Sequence, residues 1–310
     1  MGIVPIPLFN HEKVPHMNKL STYERKIKRQ YLTLLIPAFI LFTIGIIIPI
    51  IMCIYYSLFD WDGFSPTMNF LGIKNYLESF KDNQVQDSWK FTILFSIINS
   101  LTADVSALLL AVLLDSKIKL KSFQRTIVFI PCLFSAIVTG FVWKKMYSTI
   151  LPAVVGALGG SINLKLFGSQ DTVLIGLTIA NCWQFTGLWM MIYLASLQSV
   201  SQDYYEAATV DGANAVQRFF HVTIPMIMPA IITCTVGLTT GALRTYDILV
   251  TSTEGGPGKA STTIVYYMFA YIFKQKRFGY GCALSVLLIL LLLLVAIVEM
   301  AFFRKKEVQM

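Results

Sequence analysis

Apolar positions in this chain run in long blocks, and the charged positions gather at the block ends. A helix needs about 20 residues to cross the hydrocarbon of a bilayer. Six blocks meet or approach that length: residues 31–59, 91–114, 126–143, 172–200, 222–246 and 279–303. The third is short. The first, Tyr31 to Phe59, has 29 uncharged residues and is long enough to tilt or protrude. The predicted fold is all-α and polytopic, with a cytoplasmic tail over 1–30, six spans within 31–303 and a second cytoplasmic tail over 304–310. A further apolar run, Thr262 to Phe273, has 12 residues and is too short to span. It is expected to lie at the outer surface or to pack on the bundle, with a re-entrant segment as the alternative.

Composition agrees with the pattern. Of 310 residues, 55% are hydrophobic and 14% charged, against about 25% charged in an ordinary soluble domain. The net charge of +8 is not a nucleic-acid footprint, because its residues flank apolar runs instead of clustering with aromatics on a polar domain. The run after the basic N-terminal segment is far longer than a signal-peptide core, so it is expected to stay as an anchor. With the N-terminus inside, the cytoplasmic segments hold 14 Lys and Arg and the outer ones 10. The stretch 117–125 holds four bases and no acid, whereas Asp60 to Lys90 holds five acids and three bases. That contrast places both termini in the cytoplasm.

Catalytic and metal chemistry find little support. The cysteines (Cys53, Cys132, Cys182, Cys234, Cys282) stand singly in apolar runs and the three histidines do not cluster, so no metal is expected. "TEGGPGKAST" fails as a phosphate loop: Thr253 stands where that motif needs Gly, and Ala260 where it needs Ser or Thr. No nucleophile–base pair and no paired carboxylates suggest an enzyme. Asp104, near the middle of the second span, has two readings. One is the ionisable group of a proton- or sodium-coupled carrier; the other is a hydrogen-bonded acid inside the bundle. Glu299 is expected to reach the inner headgroups.

The stretch Tyr205 to Ala230, "YEAATVDGANAVQRFFHVTIPMIMPA", interrupts the apolar blocks on the cytoplasmic side. Asp203 to Val210 suits a short helix, and Asp211-Gly212 suits its stop, because Gly accepts the left-handed conformation. Ala213 to Val222 suits a second helix, and Pro225 and Pro229 suit a bent entry into the next span. Physical pattern alone leaves an ordinary amphipathic hairpin at the membrane surface as an equal alternative.

"EAATVDGANAVQRFFHVTIPMIMP" resembles the EAA loop of ABC importer permeases, with Ile224-Pro225 where that family often has Leu-Pro. The resemblance extends through "NYLESFKD", "RTIVFIPCLFSAIVTGFVW", "TYDILVTSTEGGP" and "FGYGCALSVLL". Together these are similar to the carbohydrate-uptake branch, of the type of the larger maltose-permease subunit, without its extra outer domain. The resemblance implies a type I importer fold in the plasma membrane of a bacterium. It implies a sugar or oligosaccharide as solute, with a non-sugar such as glycerol phosphate as the alternative. It also implies a second permease chain as heterodimer partner, two ATPase subunits and an extracytoplasmic solute-binding protein. No cofactor is expected on this chain; ATP belongs to the ATPase subunits. The loop 201–222 becomes the coupling helix, with Glu206, Ala207, Ala208, Asp211 and Gly212 as the ATPase contact. The implied solute pathway is Gln184, Phe185, Leu188, Gly237, Gly241, Arg244 and Tyr246. For each of these, packing or interface anchoring is the competing reading, and for Arg244 also snorkelling from the outer end of its span.

Overall fold

The computed structural model describes residues 22–116, 120–160 and 166–304. Lys117, Lys119 and Lys165, the residues before 22 and the tail from Lys305 lie outside the described residues. The helices are, in order, α1 (Thr22–Phe42), α2 (Ile48–Tyr56), α3 (Lys74–Ser79), α4 (Asn83–Asp115), α5 (Lys121–Phe129), α6 (Ala136–Lys145), α7 (Leu151–Ala157), α8 (Val173–Ser199), α9 (Gln202–Val210), α10 (Ala215–Arg218), α11 (Ile224–Met226), α12 (Met228–Leu243), α13 (Asp247–Ser252), α14 (Ile264–Phe269) and α15 (Phe278–Arg304). A two-residue ribbon, β1 (Phe59–Asp60) with β2 (Asn69–Phe70), pairs antiparallel with Phe59 opposite Phe70.

By contacts the chain divides into two units, residues up to Met52 and residues from Cys53 onward. In the first, α1 begins at Thr22, so residues 22–30, read from the sequence as tail, have helical backbone. The reason is local. Nothing from Thr22 to Tyr31 breaks a helix, and lysine and arginine are good helix formers. Wide turns at Thr43–Ile47 then join α1 to α2.

Among the described residues, four helices are long and apolar enough to cross a membrane, and six spans result if each of two bent pairs counts as one. Both bent pairs fall where the sequence reading drew single spans. The expected span 126–143 is a broken pair, Lys121–Leu133 and Ala136–Ala157, bent by 99°. Pro131 lacks an amide hydrogen to continue the ladder, Phe134 and Ser135 are extended, and the Ser135 hydroxyl accepts from the Val138 amide to start α6. The expected span 222–246 bends by 73° at Ile227, between the two prolines.

The second unit is held by the packing of α4 on α8 and α12. Ala103, Ala107 and Ala111 are buried four residues apart on α4, which lets backbones approach closely. The inner cluster adds Met190, Tyr193, Leu194, Ile227 and Cys234. At the opposite end of α4, Asp82 caps the helix by accepting from the Gln84 amide at 2.9 Å, and it also accepts from the Tyr271 and Tyr280 hydroxyls. Arg277 makes two bonds to Glu78, each 2.7 Å, with its guanidinium 4.4 Å from the Tyr280 ring centroid. The short apolar run 262–273 is therefore packed on the bundle: Ile264, Tyr267 and Tyr271 are buried with Val85 of α4 and Leu284 of α15.

Candidate functional site

Ser201 opens the interrupting segment, its hydroxyl accepting from the Asp203 amide at 3.3 Å. The helix that follows, α9, ends in a six-residue closure. Gly212 has φ +81°, its amide bonds to Thr209 oxygen at 3.0 Å, and the Ala213 amide bonds to Ala208 oxygen at 2.9 Å. This is a Schellman end, in which a left-handed glycine satisfies the last carbonyls. Asn214 then starts α10 through a reciprocal cap: it accepts from the Gln217 amide at 2.9 Å while its own amide donates to Gln217 Oε1 at 2.8 Å. The second helix thus starts at Ala215, two residues after Ala213, which belongs to the turn. A wide turn over Phe219–Thr223 carries the chain through α11 into α12.

Two bonds tie the halves of this knuckle. Arg218 Nη1 donates to Thr209 Oγ1 at 2.6 Å, and the Tyr205 and Thr223 hydroxyls meet at 3.2 Å. The C-terminal end of α4 is also tied: Arg125 donates to Leu114 oxygen at 3.1 Å and Lys121 to Asp115 oxygen at 3.0 Å. Cations there complement the carbonyl end of a helix.

Of the predicted contact residues, Glu206, Ala207, Asp211 and Gly212 are exposed and Ala208 is half-buried. Around them lie apolar side chains left largely open by the described residues, with Val210 88% exposed and Val216 65%. A cleft of about 1020 Å³ runs between Val112, Asp115 and Leu197 at the ends of α4 and α8 and Tyr205, Val210 and Phe220 of the knuckle. A smaller one, about 320 Å³, is formed by Ala208, Asp211, Gly212 and His221. Exposed apolar side chains on a capped, cross-tied element mark an interaction surface.

The predicted pathway residues scatter over several environments. Gln184 is 1% exposed and donates to Phe134 oxygen at 2.8 Å, so it holds the carbonyl freed by the break between α5 and α6. Gly237 lies under the Trp189 indole, where a β-carbon would come within 2.2 Å of the ring. Gly241 faces open space, Leu188 is exposed and Phe185 half-buried. Arg244 closes α12, its Nε donating to Thr240 oxygen at 3.1 Å. Tyr246 stacks on Phe269, centroids 4.3 Å apart. Gln184 and Gly237 thus make packing contacts, and Arg244 bonds the end of its own helix.

Asp104 accepts from the Tyr193 hydroxyl and, at 2.7 Å, from Thr235. Both of its oxygens are thereby satisfied by α8 and α12, as the hydrogen-bonded reading expected. Glu299 departs from expectation: one carboxyl oxygen is buried without a partner, and Thr239 and Asp104 are the polar groups it faces. The helix turns its carboxyl toward Thr239 of α12. Sequence inspection missed Thr209, Arg218, Tyr205 and Thr223, because no local spacing announces a pairing across a turn. The Asn214–Gln217 cap did carry a signal, the Asn-x-x-Gln spacing.

The family described as "Binding-protein-dependent transport system inner membrane component" matches residues 28–307. The chain is 31% identical to the trehalose/maltose transport system permease protein MalF of Thermococcus litoralis, over 85% of this chain and 89% of that one. It is 29% identical to a probable starch degradation products transport system permease protein, AmyD, of Thermoanaerobacterium thermosulfurigenes, over 90% of this chain and 96% of that one. Its fold is similar to a chain of a bacterial ABC transporter involved in the import of the acidic polysaccharide alginate. The TM-score is 0.76 at 20% identity, covering 91% of this chain and 98% of that one.

Proposed function

This chain belongs to the family of binding-protein-dependent transport system inner membrane components, and from that premise we propose that it is a membrane subunit of an ATP-driven importer of sugars or oligosaccharides. The solute class follows the names of the trehalose/maltose and starch-product relatives. A binding protein outside the cell delivers the solute. A second, distinct permease chain completes the membrane core, and two ATPase subunits bind the ATP, so this chain needs no cofactor and performs no catalysis. Both termini lie in the bacterial cytoplasm, with the knuckle.

The mechanism is mechanical. Two ATPase subunits closing on ATP displace whatever is seated in them, and alternating access requires a stiff link from that motion to the spans. The knuckle supplies it. Its two helices are closed by the Schellman end and the reciprocal cap, crossed by the Arg218–Thr209 bond and continued into a span bent at Ile227. Glu206, Ala207, Ala208, Asp211 and Gly212 form the ATPase contact. The alanines permit close seating, and Val210 and Val216 supply the apolar area.

The observation that carries this reading is the exposed, self-capped knuckle between two spans. Ala207→Arg tests it: the variant is expected to insert normally and to lose both transport and ATPase stimulation. Normal transport by that variant overturns the coupling role. The solute is tested by screening the purified binding protein with a glycan panel. Retention of glycerol phosphate and no sugar would select the non-sugar alternative.

A further inference from the structure

A cleft of about 520 Å³ lies between α6, α13 and α14, lined by Phe141, Tyr246, Tyr266, Phe269 and Phe273 together with Thr251, Glu254 and Lys274. Its aromatic wall is ordered. Tyr246 and Phe269 stack with planes 18° apart, and Phe273 continues the ladder 5.6 Å from Phe269 at 27°. Tyr266 is oriented by its hydroxyl, which donates to Glu254 oxygen at 3.2 Å. Phe141 and Phe273 are 58% and 69% exposed, so the wall faces outward from the bundle.

The rim is charged. Glu254 pairs with Lys144 at 3.2 Å, and the Lys274 ammonium sits 5.9 Å from the Tyr266 ring centroid. A carboxylate and two ammonium groups are costly beside lipid chains, so this cleft does not suit hydrocarbon. Flat rings bordered by a carboxylate and ammonium donors suit a molecule with one apolar face and a girdle of hydroxyls, which describes a pyranose. The volume lies within the range of about 300–1,000 Å³ typical of small-molecule sites.

We propose that this cleft is an outer subsite that packs the apolar face of one pyranose ring against the aromatic wall that holds Tyr246 and Phe269, with Glu254 and Lys274 bonding its hydroxyls. It receives sugar before the α8–α12 helices do, and it rests on the reading that the solute is a sugar entering from this side.

The test uses the whole importer in proteoliposomes. Phe273→Cys is labelled with a membrane-impermeant maleimide, against the parent protein as background. The probes are maltotriose, trehalose, sn-glycerol 3-phosphate and whichever sugar the binding protein retains in the glycan panel. At least one sugar is expected to slow labelling several-fold, and glycerol phosphate is not. Adding Phe269→Ala should remove the protection and adding Phe269→Trp should keep it. Labelling unchanged by every probe overturns the proposal, as does protection by glycerol phosphate alone. A cysteine unreactive without sugar also overturns it, since a partner chain then covers the cleft. If the binding protein retains no sugar, the solute reading fails. If it retains one and protection is absent, the subsite alone fails.

Discussion

Arg218 donates a hydrogen bond to the Thr209 hydroxyl at 2.6 Å, across the glycine that separates the two helices of the knuckle. The bond joins α9 to α10, so force applied to one helix is delivered to the other. A bond to a charged donor contributes about 1.5–3 kcal/mol when buried, and exposure brings this one toward about 1 kcal/mol or less. Arg218→Ala and Thr209→Val should each insert and fold while lowering solute-stimulated ATP hydrolysis, and the double variant should be no worse than either. A double-variant cycle on ATPase stimulation checks this; additive losses would mean the residues act separately.

Gly212 has φ +81° and open space where a side chain would go. Strain alone, not collision, therefore decides substitutions there. Alanine should cost about 1–2 kcal/mol locally, and asparagine less, since it tolerates the left-handed region. Protease cleavage between 209 and 215 should rank Gly below Asn below Ala. An alanine variant as resistant as the parent would contradict the geometry.

Asp104 is a structural acceptor for Tyr193 and Thr235. Asp104→Asn keeps one acceptor oxygen, so it should lower thermal stability in detergent by about 1–3 kcal/mol. ATP-driven uptake should survive, and uptake in parent and variant alike should persist with an uncoupler. Collapse of parental uptake under the uncoupler at constant ATP would restore the ion-coupled alternative.

Asp62 fixes the turn that follows β1 and leads toward β2, accepting from the Ser65 hydroxyl at 2.6 Å, the Ser65 amide at 2.7 Å and the Phe64 amide at 2.9 Å. These donors, the Ser65 hydroxyl foremost, lower its pKa from 3.8 to about 2. A depressed carboxylate adds order that is fully present above its unfolded value and is lost as pH falls through its folded one. The turn should therefore hold at pH 5 and loosen between about pH 4 and pH 2. Asp62→Asn should remove that dependence. Amide exchange of Phe64 and Ser65 against pH is the measurement.

Gly237 and Gly241 are one helical turn apart and should differ sharply. A β-carbon at 237 meets Trp189 at 2.2 Å, whereas at 241 nothing lies within 4 Å. Gly237→Ala should shift Trp189 and cost about 1–3 kcal/mol, while Gly241→Ala should fold as well as the parent. Thermal midpoints of the two variants decide; equal midpoints would show that Trp189 is not seated as described.

The apolar blocks by themselves determined the class of fold, because a bilayer accepts only long segments that satisfy their own backbones. The same logic made Gly212 legible as a helix stop and the Pro225–Pro229 pair as a bend. Sequence could not show that 126–143 is two helices at 99°. That depends on Gln184, some 50 residues away, donating to the Phe134 carbonyl. Nor could it show that Gln184 and Gly237 are occupied with packing while Tyr246 joins an aromatic wall. Spacing along a helix assigns a residue to a face; which neighbour that face meets depends on the other helices. Hydrophobicity is a property of the chain alone, whereas partnership is a property of the packed bundle, and only the tertiary structure decided it.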